Sequence, residues 1–336
     1  MQREAGEAKG LNDDLMQTAE FQSYRAQVVA ELQKKDLWVG VLPEEATLAI
    51  LQFYNANAGI LTLTPPQHSG ASTVIVKISK GDISTVLPCH LALSEHGVAV
   101  PLLAHAPDFT VEAEAKPRTD EDWVNSLPGY VDNAKVTARL HGAPKTWFDG
   151  HCREVLQDYV PLLKEEPLNS SLYVAAAHEL SRGTPKEDMP QTEKLRELMK
   201  VLPRPQGEHA ERLVVVHGDL WDANILHMPD GRTVLCDFEQ TVVSSAVQDL
   251  IHFSNKPLVA AYLEAMTGVQ QSEEEVYRLL LETKIAEHVH FFVIRALCFD
   301  AKPGNIDELT EHSRQFAVFA TKLRRDPEWA KKLLGD

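Results

Sequence analysis

Apolar positions in the first third of the chain follow helical spacing at two places and strand spacing between and after them. Residues 16–35 place Tyr24, Val28 and Leu32 on one side of a predicted helix. A second helix is predicted at about 87–96, ending at Gly97. β-Branched runs and a Pro-Pro-Gln-His-Ser-Gly turn predict strands at 59–64, 72–78, 100–105 and 109–114.

The remainder of the chain is mostly helical in its spacing, with a short strand-rich block in the middle. Helices are predicted at about 131–141, 152–163, 172–180, 192–201, 240–254, 258–266, 272–298 and 306–325. The strand-rich block predicts strands at 213–216, 225–226 and 233–236.

This order predicts an α+β protein with two lobes, a small antiparallel sheet followed by a large, mostly helical part. Residues 1–15 are polar and are expected to form a disordered tail. We assign residues 16–115 to an N-terminal helix and the sheet lobe. Residues 116–336 are assigned to the helical lobe, which would include the strand-rich block.

The net charge of the chain argues against some classes of binding partner. The formal net charge is −16, with 44% hydrophobic and 24% charged residues. Nucleic acids and anionic membranes need a basic surface, so neither is expected as a partner. The acidity is compatible with a cationic small molecule, and equally with general solubility.

Cysteine spacing and hydropathy indicate an ordinary cytoplasmic protein. Cys89, Cys152, Cys236 and Cys298 are scattered and match no metal-binding or disulfide pattern. The N-terminus lacks the apolar core of a signal peptide. The longest apolar stretch, at 290–299, contains an arginine and is too short to span a bilayer.

The most informative segment is 216–239, where polar residues interrupt the predicted strands at fixed intervals. It reads Val-His-Gly-Asp-Leu-Trp-Asp-Ala-Asn-Ile-Leu, then a Pro-Asp-Gly turn, then Val-Leu-Cys-Asp-Phe-Glu. His217, Asp219, Asn224 and Asp237 thereby take the spacing found in phosphoryl-transfer enzymes of the protein-kinase type. In that template one Asp accepts the substrate hydroxyl proton, and an Asn and a second Asp hold Mg²⁺.

The residue types suit that chemistry. A phosphoryl group in transfer carries charge spread over its oxygens, and hard metal ions neutralise this charge. Mg²⁺ prefers oxygen ligands, which a carboxylate and an amide carbonyl supply. A metal-dependent hydrolase is the weaker interpretation, because no His-x-x-x-His pair is predicted on a helix near these residues.

Through these motifs the chain resembles the aminoglycoside phosphotransferase and choline kinase group of small-molecule kinases, which have a protein-kinase-like fold. The resemblance implies an ATP- and Mg²⁺-dependent phosphotransferase with an alcohol group as acceptor. It implies Asp219 as catalytic base, Asn224 and Asp237 as magnesium ligands, and Lys77 on the strand Val-Ile-Val-Lys as the phosphate-binding lysine. By the same resemblance Glu112 and Ala113 would lie in the hinge beside adenine, and His217 and Asp249 would be structural.

Within this group the choline and ethanolamine kinase branch is the most similar, on the Asp-Phe-Glu motif and the predicted helices at 272–298 and 306–325. A small, cationic acceptor would suit aromatic faces combined with carboxylates. Candidate acceptor-site residues are Trp221, Asp222, Glu239 and Phe291. His-Gly-Asp-Leu-Trp is also similar to fructosamine kinases, so fructosamine-type and aminoglycoside acceptors remain alternatives.

Two departures from the group affect the expected nucleotide site. The phosphate loop at 55–59 has a single glycine, and no acid falls on the small-lobe helix where a partner for Lys77 is expected. Asp82 and Glu95 are the candidate substitutes. A catalytically weak pseudokinase, acting as a nucleotide-binding regulatory module, is therefore the alternative to an active kinase.

Overall fold

The computed structural model describes residues 19–55, 58–79, 87–117, 127–145, 167–172, 174–175, 192–299 and 305–334. The predicted tail at 1–15, the predicted helix at 152–163, most of the one at 172–180, and Asp82 lie outside these residues. The chain divides into two compact units. The first contains residues 1–116 and 226–234, and the second contains residues 117–225 and 235–336.

The first unit is built on an antiparallel five-stranded sheet with the order β1-β2-β3-β5-β4. Its strands are β1 (Thr47–Asn55), β2 (Ala58–Thr64), β3 (Val74–Ser79), β4 (Leu102–Ala106) and β5 (Phe109–Ala113). Four of these strands match the sequence prediction. β1 was not predicted, and it forms the edge strand that pairs with β2.

The two faces of this sheet have different chemistry, because side chains alternate along each strand. One face presents Val74, Val76 and Val111 to a core that includes the helix α1 (Ala19–Gln33). The apolar side predicted for this helix is confirmed, since Tyr24, Val28, Val29 and Leu32 are all buried.

The opposite face carries polar side chains. Lys77 pairs in register with Thr110, and Ile75 pairs with Glu112, so these four residues share one side of the sheet. The helix α2 (Leu87–Glu95) follows β3 and ends as predicted, with Gly97 in the left-handed region at φ 65°. Its buried residues are Cys89, His90 and Leu93.

Short strands and helices of varied length form the regular structure in the rest of the described chain. The short strands are β6 (Lys116–Pro117), β7 (Leu213–Val216), β8 (Ile225–His227), β9 (Thr233–Leu235) and β10 (Val242–Ser245). The helices are α3 (Leu127–His141), α4 (Thr192–Val201), α5 (Val247–Leu250), α6 (Lys256–Thr267), α7 (Glu273–Phe299), α8 (Asn305–Arg325) and α9 (Pro327–Leu334). Among the residues described, no helix is long and apolar enough to cross a membrane.

The helix predicted at 240–254 is wrong. Val242–Ser245 is instead a strand that pairs antiparallel with β7, and only Val247–Leu250 is α-helical before a 3₁₀ turn at Ile251–Phe253. The run Thr-Val-Val is β-branched, and its pairing with β7 provides backbone hydrogen bonds that outweigh the local helical spacing. The helix α9 lies beyond the last predicted helix, which ends at 325.

A buried ion pair joins α7 to α8 in the second unit. Arg324 donates from Nε and Nη2 to the two carboxylate oxygens of Glu282, at 2.7 and 2.6 Å. The N–H of Gln206 donates to the same carboxylate, and Arg324 also donates to the carbonyl of Arg204. Only 3% of the Glu282 side chain is exposed, so its charge depends on these partners.

We therefore expect Arg324→Met to lower the free energy of unfolding by about 3 kcal/mol or more, because it leaves a buried carboxylate without its counter-charge. Arg314→Met on the same helix is the matched control. Arg314 pairs with Glu311 at an exposed position, so its loss should cost less than about 1 kcal/mol. Urea unfolding of the two variants measures the difference, and equal losses would contradict the assignment.

Candidate active site

The loop between β7 and β8 carries the residues singled out by their spacing. His217 is completely buried at its start. Its Nε2 lies 2.8 Å from the carbonyl oxygen of Cys236, and its Nδ1 accepts from the N–H of Asp219 at 3.3 Å. A proton on Nε2 and a lone pair on Nδ1 fit these two contacts. His217 thus ties the loop to the segment that precedes Asp237.

The carboxylate of Asp249, in α5, accepts hydrogen bonds from the backbone of this loop. Its Oδ2 accepts from the N–H of His217 at 2.8 Å, and its Oδ1 accepts from the N–H of Gly218 at 3.0 Å. His141, at the end of α3, lies with Nε2 3.0 Å from Oδ2, and its Nδ1 lies 2.8 Å from the hydroxyl of Tyr262. The bonds of Asp249 to His217 and His141 and the contact of His141 with Tyr262 are buried, and the bond from Gly218 is partly buried.

The buried carboxylate keeps its charge. Burial by itself would raise the pKa of Asp249, but the hydrogen bond and charge of His141, together with His217, lower it below its ordinary value. Burial also raises the pKa of Tyr262, so its hydroxyl keeps its proton beside Nδ1 of His141. The loop is therefore anchored on an ionised carboxylate at neutral pH.

Gly218 is required by the backbone at this point. Its φ is +84°, and a Cβ built on it would lie 2.4 Å from the carbonyl oxygen of Gln240. A larger residue would be strained twice, by the left-handed conformation and by contact with backbone that cannot move aside.

Asn224 and Asp219 are linked across the loop. The amide Nδ2 of Asn224 donates to the carbonyl oxygen of Asp219 at 2.8 Å, and Asn224 itself is buried. An amide nitrogen must face this carbonyl, so the amide's oxygen end is the one directed elsewhere. Asp219 is partly buried, beside the buried Leu220.

Asp237 directly follows a residue whose backbone is hydrogen-bonded to Asn224. The N–H of Cys236, the preceding residue, donates to the carbonyl of Asn224 at 3.1 Å. Asp237 is exposed and adopts φ 68°, in the left-handed region that few non-glycine residues occupy and that Asp occupies more often than most. The carboxylate of Asp237 and the amide oxygen of Asn224 are hard ligands of the kind that Mg²⁺ prefers. Within the described residues no cluster of three or more His, Cys, Asp and Glu suits a metal ion.

His252 is a member of this site that the sequence did not reveal. It lies in the 3₁₀ turn after α5, where burial lowers its pKa against the opposing charges of Asp219, Asp249, Asp222 and Glu287. Its ring contacts His290 and Phe291 of α7 edge to face, with centroids 5.9 and 5.8 Å away. The only available signal was its position three residues after Asp249, inside a segment wrongly predicted as a continuous helix.

The predicted acceptor residues differ in their surroundings. Phe291 is 49% exposed, and its ring contacts those of His252 and His290. Trp221 is 50% exposed, and Asp222 and Glu239 are exposed too. The charges of Asp222 and Asp219 both act on His252, and each opposes the lowering of its pKa by burial.

The first unit contains the predicted phosphate-binding lysine, and it has an acidic partner. Lys77 Nζ lies 3.0 Å from Oε2 of Glu112, which is 2% exposed. The sequence predicts Asp82 or Glu95 as this acid and places Glu112 beside adenine. In the structure it is Glu112 that pairs with Lys77. Glu95 is exposed at the end of α2. Ala113 ends β5, and its N–H donates to the carbonyl of Pro101.

Comparison with known proteins agrees with the motif. Residues 128–280 match the sequence profile described as the phosphotransferase enzyme family. The chain carries a phosphotransferase family domain. No curated protein matches the sequence.

Two solved structures show the same fold at low identity. A choline kinase from Cryptosporidium parvum Iowa II superposes with a TM-score of 0.54 at 14% identity, covering 88% of this chain and 95% of that one. A Plasmodium vivax ethanolamine kinase superposes with a TM-score of 0.56 at 12% identity, covering 86% of this chain and 88% of that one. The prediction of an α+β, protein-kinase-like fold is thereby confirmed.

Substitution of Gly218 should disrupt the loop of the phosphotransferase domain. Gly218→Ala forces its Cβ against the carbonyl of Gln240, so we expect a lower melting temperature and loss of most activity. Gly231→Ala is the control, because Gly231 has φ +86° but nothing within 4 Å of its added Cβ. The control should lose only about 1 kcal/mol of stability, from backbone strain alone. Equal melting shifts in the two variants would show that the close contact is unimportant.

The charge of Asp249 predicts a pH dependence of stability. Its folded pKa is lowered, so its contribution is present at neutral pH and is lost as the pH falls below about 4 through the folded value. Asp249→Asn should be less stable at pH 7. Its unfolding free energy should also fall less steeply than that of the wild type below pH 4. Urea unfolding across this range measures both effects.

Asp307→Asn provides the comparison for that experiment. Asp307 is an exposed carboxylate on α8 that pairs with Lys194, so its removal should leave the slope nearly unchanged. A slope for Asp249→Asn equal to that of the wild type would mean that Asp249 is not ionised in the folded protein.

Proposed function

We propose that this protein transfers the γ-phosphoryl group of ATP to a hydroxyl group of a small, cationic metabolite, with Mg²⁺ as cofactor. The observation that carries the proposal is the arrangement of the loop. The amide of Asn224 donates to the carbonyl of Asp219, and the N–H of Cys236, next to Asp237, donates to the carbonyl of Asn224. The buried Asp249 holds the backbone just before Asp219. Rigid placement of charged groups supplies most of the catalysis in phosphoryl transfer.

In this proposal Asp219 accepts the proton of the acceptor hydroxyl. The hydroxyl oxygen forms a bond to the γ-phosphorus as the bond from that phosphorus to the β-phosphate oxygen breaks, and ADP leaves. The carbonyl of Asp219 is fixed by Asn224, and its N–H is fixed by the imidazole of His217, so the carboxylate is held at a defined point of the loop.

Asn224 and Asp237 are the residues that would hold Mg²⁺. The bond from Nδ2 to Asp219 orients the amide, and the left-handed conformation at Asp237 presents an exposed carboxylate. When bound, the ion would neutralise charge on the phosphate oxygens. Lys77, in the first unit, would contact the α- and β-phosphates as a positive charge.

The charges around His252 favour a cationic acceptor. Asp219, Asp222 and Glu287 act on this position, while burial lowers the pKa of His252 and brings that of His290 to about 4, so both imidazoles are neutral at pH 7. Lys284 offsets part of the charge of Glu287, at 2.8 Å. The half-exposed rings of Trp221 and Phe291 would suit the face of an ammonium group.

The test is ADP release in the presence of Mg²⁺ across matched acceptors: choline, ethanolamine, an aminoglycoside, a fructosamine and neutral alcohols of similar size. We expect turnover with one class of cationic acceptor and much less with its neutral counterpart. Turnover only with neutral sugars would contradict the acceptor class and leave phosphoryl transfer intact. A nucleotide-induced melting shift with no turnover on any acceptor would favour a nucleotide-binding regulatory module.

Asp219→Asn provides the mechanistic control. It should reduce kcat by about a hundredfold or more, since it removes the base, while leaving the nucleotide-induced melting shift nearly unchanged. Glu308→Gln, an exposed change on α8, should alter neither quantity. Wild-type activity in Asp219→Asn would contradict the proposed role.

A further inference from the structure

Lys77 and Glu112 are diagonal neighbours on one face of the sheet in the first unit. Lys77 is opposite Thr110 in the register of β3 and β5, and Glu112 follows two residues later on the same face. Diagonal positions are close enough for long side chains to meet. The resulting ion pair, at 3.0 Å, joins a lysine side chain that is 28% exposed to a carboxylate that is 3% exposed.

The carboxylate of Glu112 depends on this lysine more than the lysine depends on it. A buried carboxylate needs a counter-charge, and Lys77 supplies one. Lys77 is partly exposed, and in the proposed function a phosphate is a further partner of its ammonium group. An ammonium has three donors, so it can serve Glu112 and a phosphate oxygen together.

The helix α2 contributes a histidine at this point, not an acid. Nε2 of His90 lies 2.7 Å from the carbonyl of Val100, which only accepts, so Nε2 carries the proton. Nδ1 lies 3.7 Å from Oε1 of Glu112, beyond hydrogen-bonding distance. His90 therefore packs against the carboxylate without replacing Lys77. Along Leu87–Glu95 the single acid is Glu95, which is exposed.

We infer that Glu112 on β5, in place of an acid on α2, is the positioning residue for the phosphate-binding Lys77; this inference rests on the proposed function. Because β3 and β5 are hydrogen-bonded neighbours, the sheet itself sets the distance between lysine and acid. The acid that pairs with Lys77 is then supplied by the sheet and not by the helix α2.

The experiment compares Glu112→Gln with Glu95→Gln in steady-state kinetics. Glu112→Gln should raise the KM for ATP by about tenfold or more, the scale of one charge-assisted hydrogen bond, with the KM for the acceptor unchanged. Glu95→Gln, which removes the acid of α2, should leave both values as in the wild type. The reverse pattern would assign the positioning role to the helix.

A double-mutant cycle separates positioning from a general effect on folding. If Glu112 acts through Lys77, then Glu112→Gln should cause no further loss of nucleotide-induced melting shift in a Lys77→Met background. Additive losses would overturn the inference. If Glu112→Gln folds poorly, Glu112→Asp takes its place, because it keeps the charge on a shorter side chain. Its KM for ATP should lie above that of the wild type and below the value expected for Glu112→Gln.

The outcomes also distinguish this inference from the proposed function. A wild-type protein that neither releases ADP nor shows a nucleotide-induced melting shift overturns both. An active wild type whose Glu112→Gln variant has the same KM for ATP overturns only the role of Glu112.

Discussion

The loop between β7 and β8 depends on one buried carboxylate. Asp249 accepts hydrogen bonds from two consecutive backbone N–H groups, at His217 and Gly218, and thereby sets the path of the chain immediately before Asp219. A buried charge is unfavourable unless hydrogen bonds and an opposing partner compensate it, and His141 provides that partner from a distant helix. The hydrogen bonds that compensate the buried charge of Asp249 therefore also fix the backbone of the loop.

The anchoring of the loop on Asp249 also restricts which residue types fit at the neighbouring positions. Gly218 must be glycine because the loop turns in the left-handed region against the backbone of Gln240. His217 must offer an acceptor on one nitrogen and a donor on the other, since it lies between the N–H of Asp219 and the carbonyl of Cys236. Each of these groups fixes a different part of the loop.

A second buried carboxylate, Glu112, is compensated differently. Asp249 is neutralised by histidine and backbone donors, whereas Glu112 is neutralised by a partly exposed lysine. The first arrangement leaves no charge accessible and suits a structural anchor. The second leaves the lysine side chain partly exposed, which is compatible with the proposed binding of a phosphate. Burial and exposure therefore assign different purposes to two otherwise similar pairs.

Much of the site was predictable because its information is local. The spacing of His217, Asp219, Asn224 and Asp237 lies within about two dozen residues, and β-branched runs beside a Pro-Asp-Gly turn predict the flanking strands. The period of apolar residues likewise predicted α1, α2 and most of the later helices. Local chemistry and periodicity thus determined the fold class and the centre of the proposed chemistry.

The tertiary structure decided what depends on pairing between distant segments. The strand β10 was mistaken for a helix, because only β7, about thirty residues earlier, makes Val242–Ser245 extended. The partner of Lys77 was sought on a helix, yet strand register placed Glu112 there. His252 and Phe291 meet only through the packing of α7. By itself the sequence determined which groups are available for phosphoryl transfer, whereas their partners follow from strand register and helix packing, which no local pattern encodes.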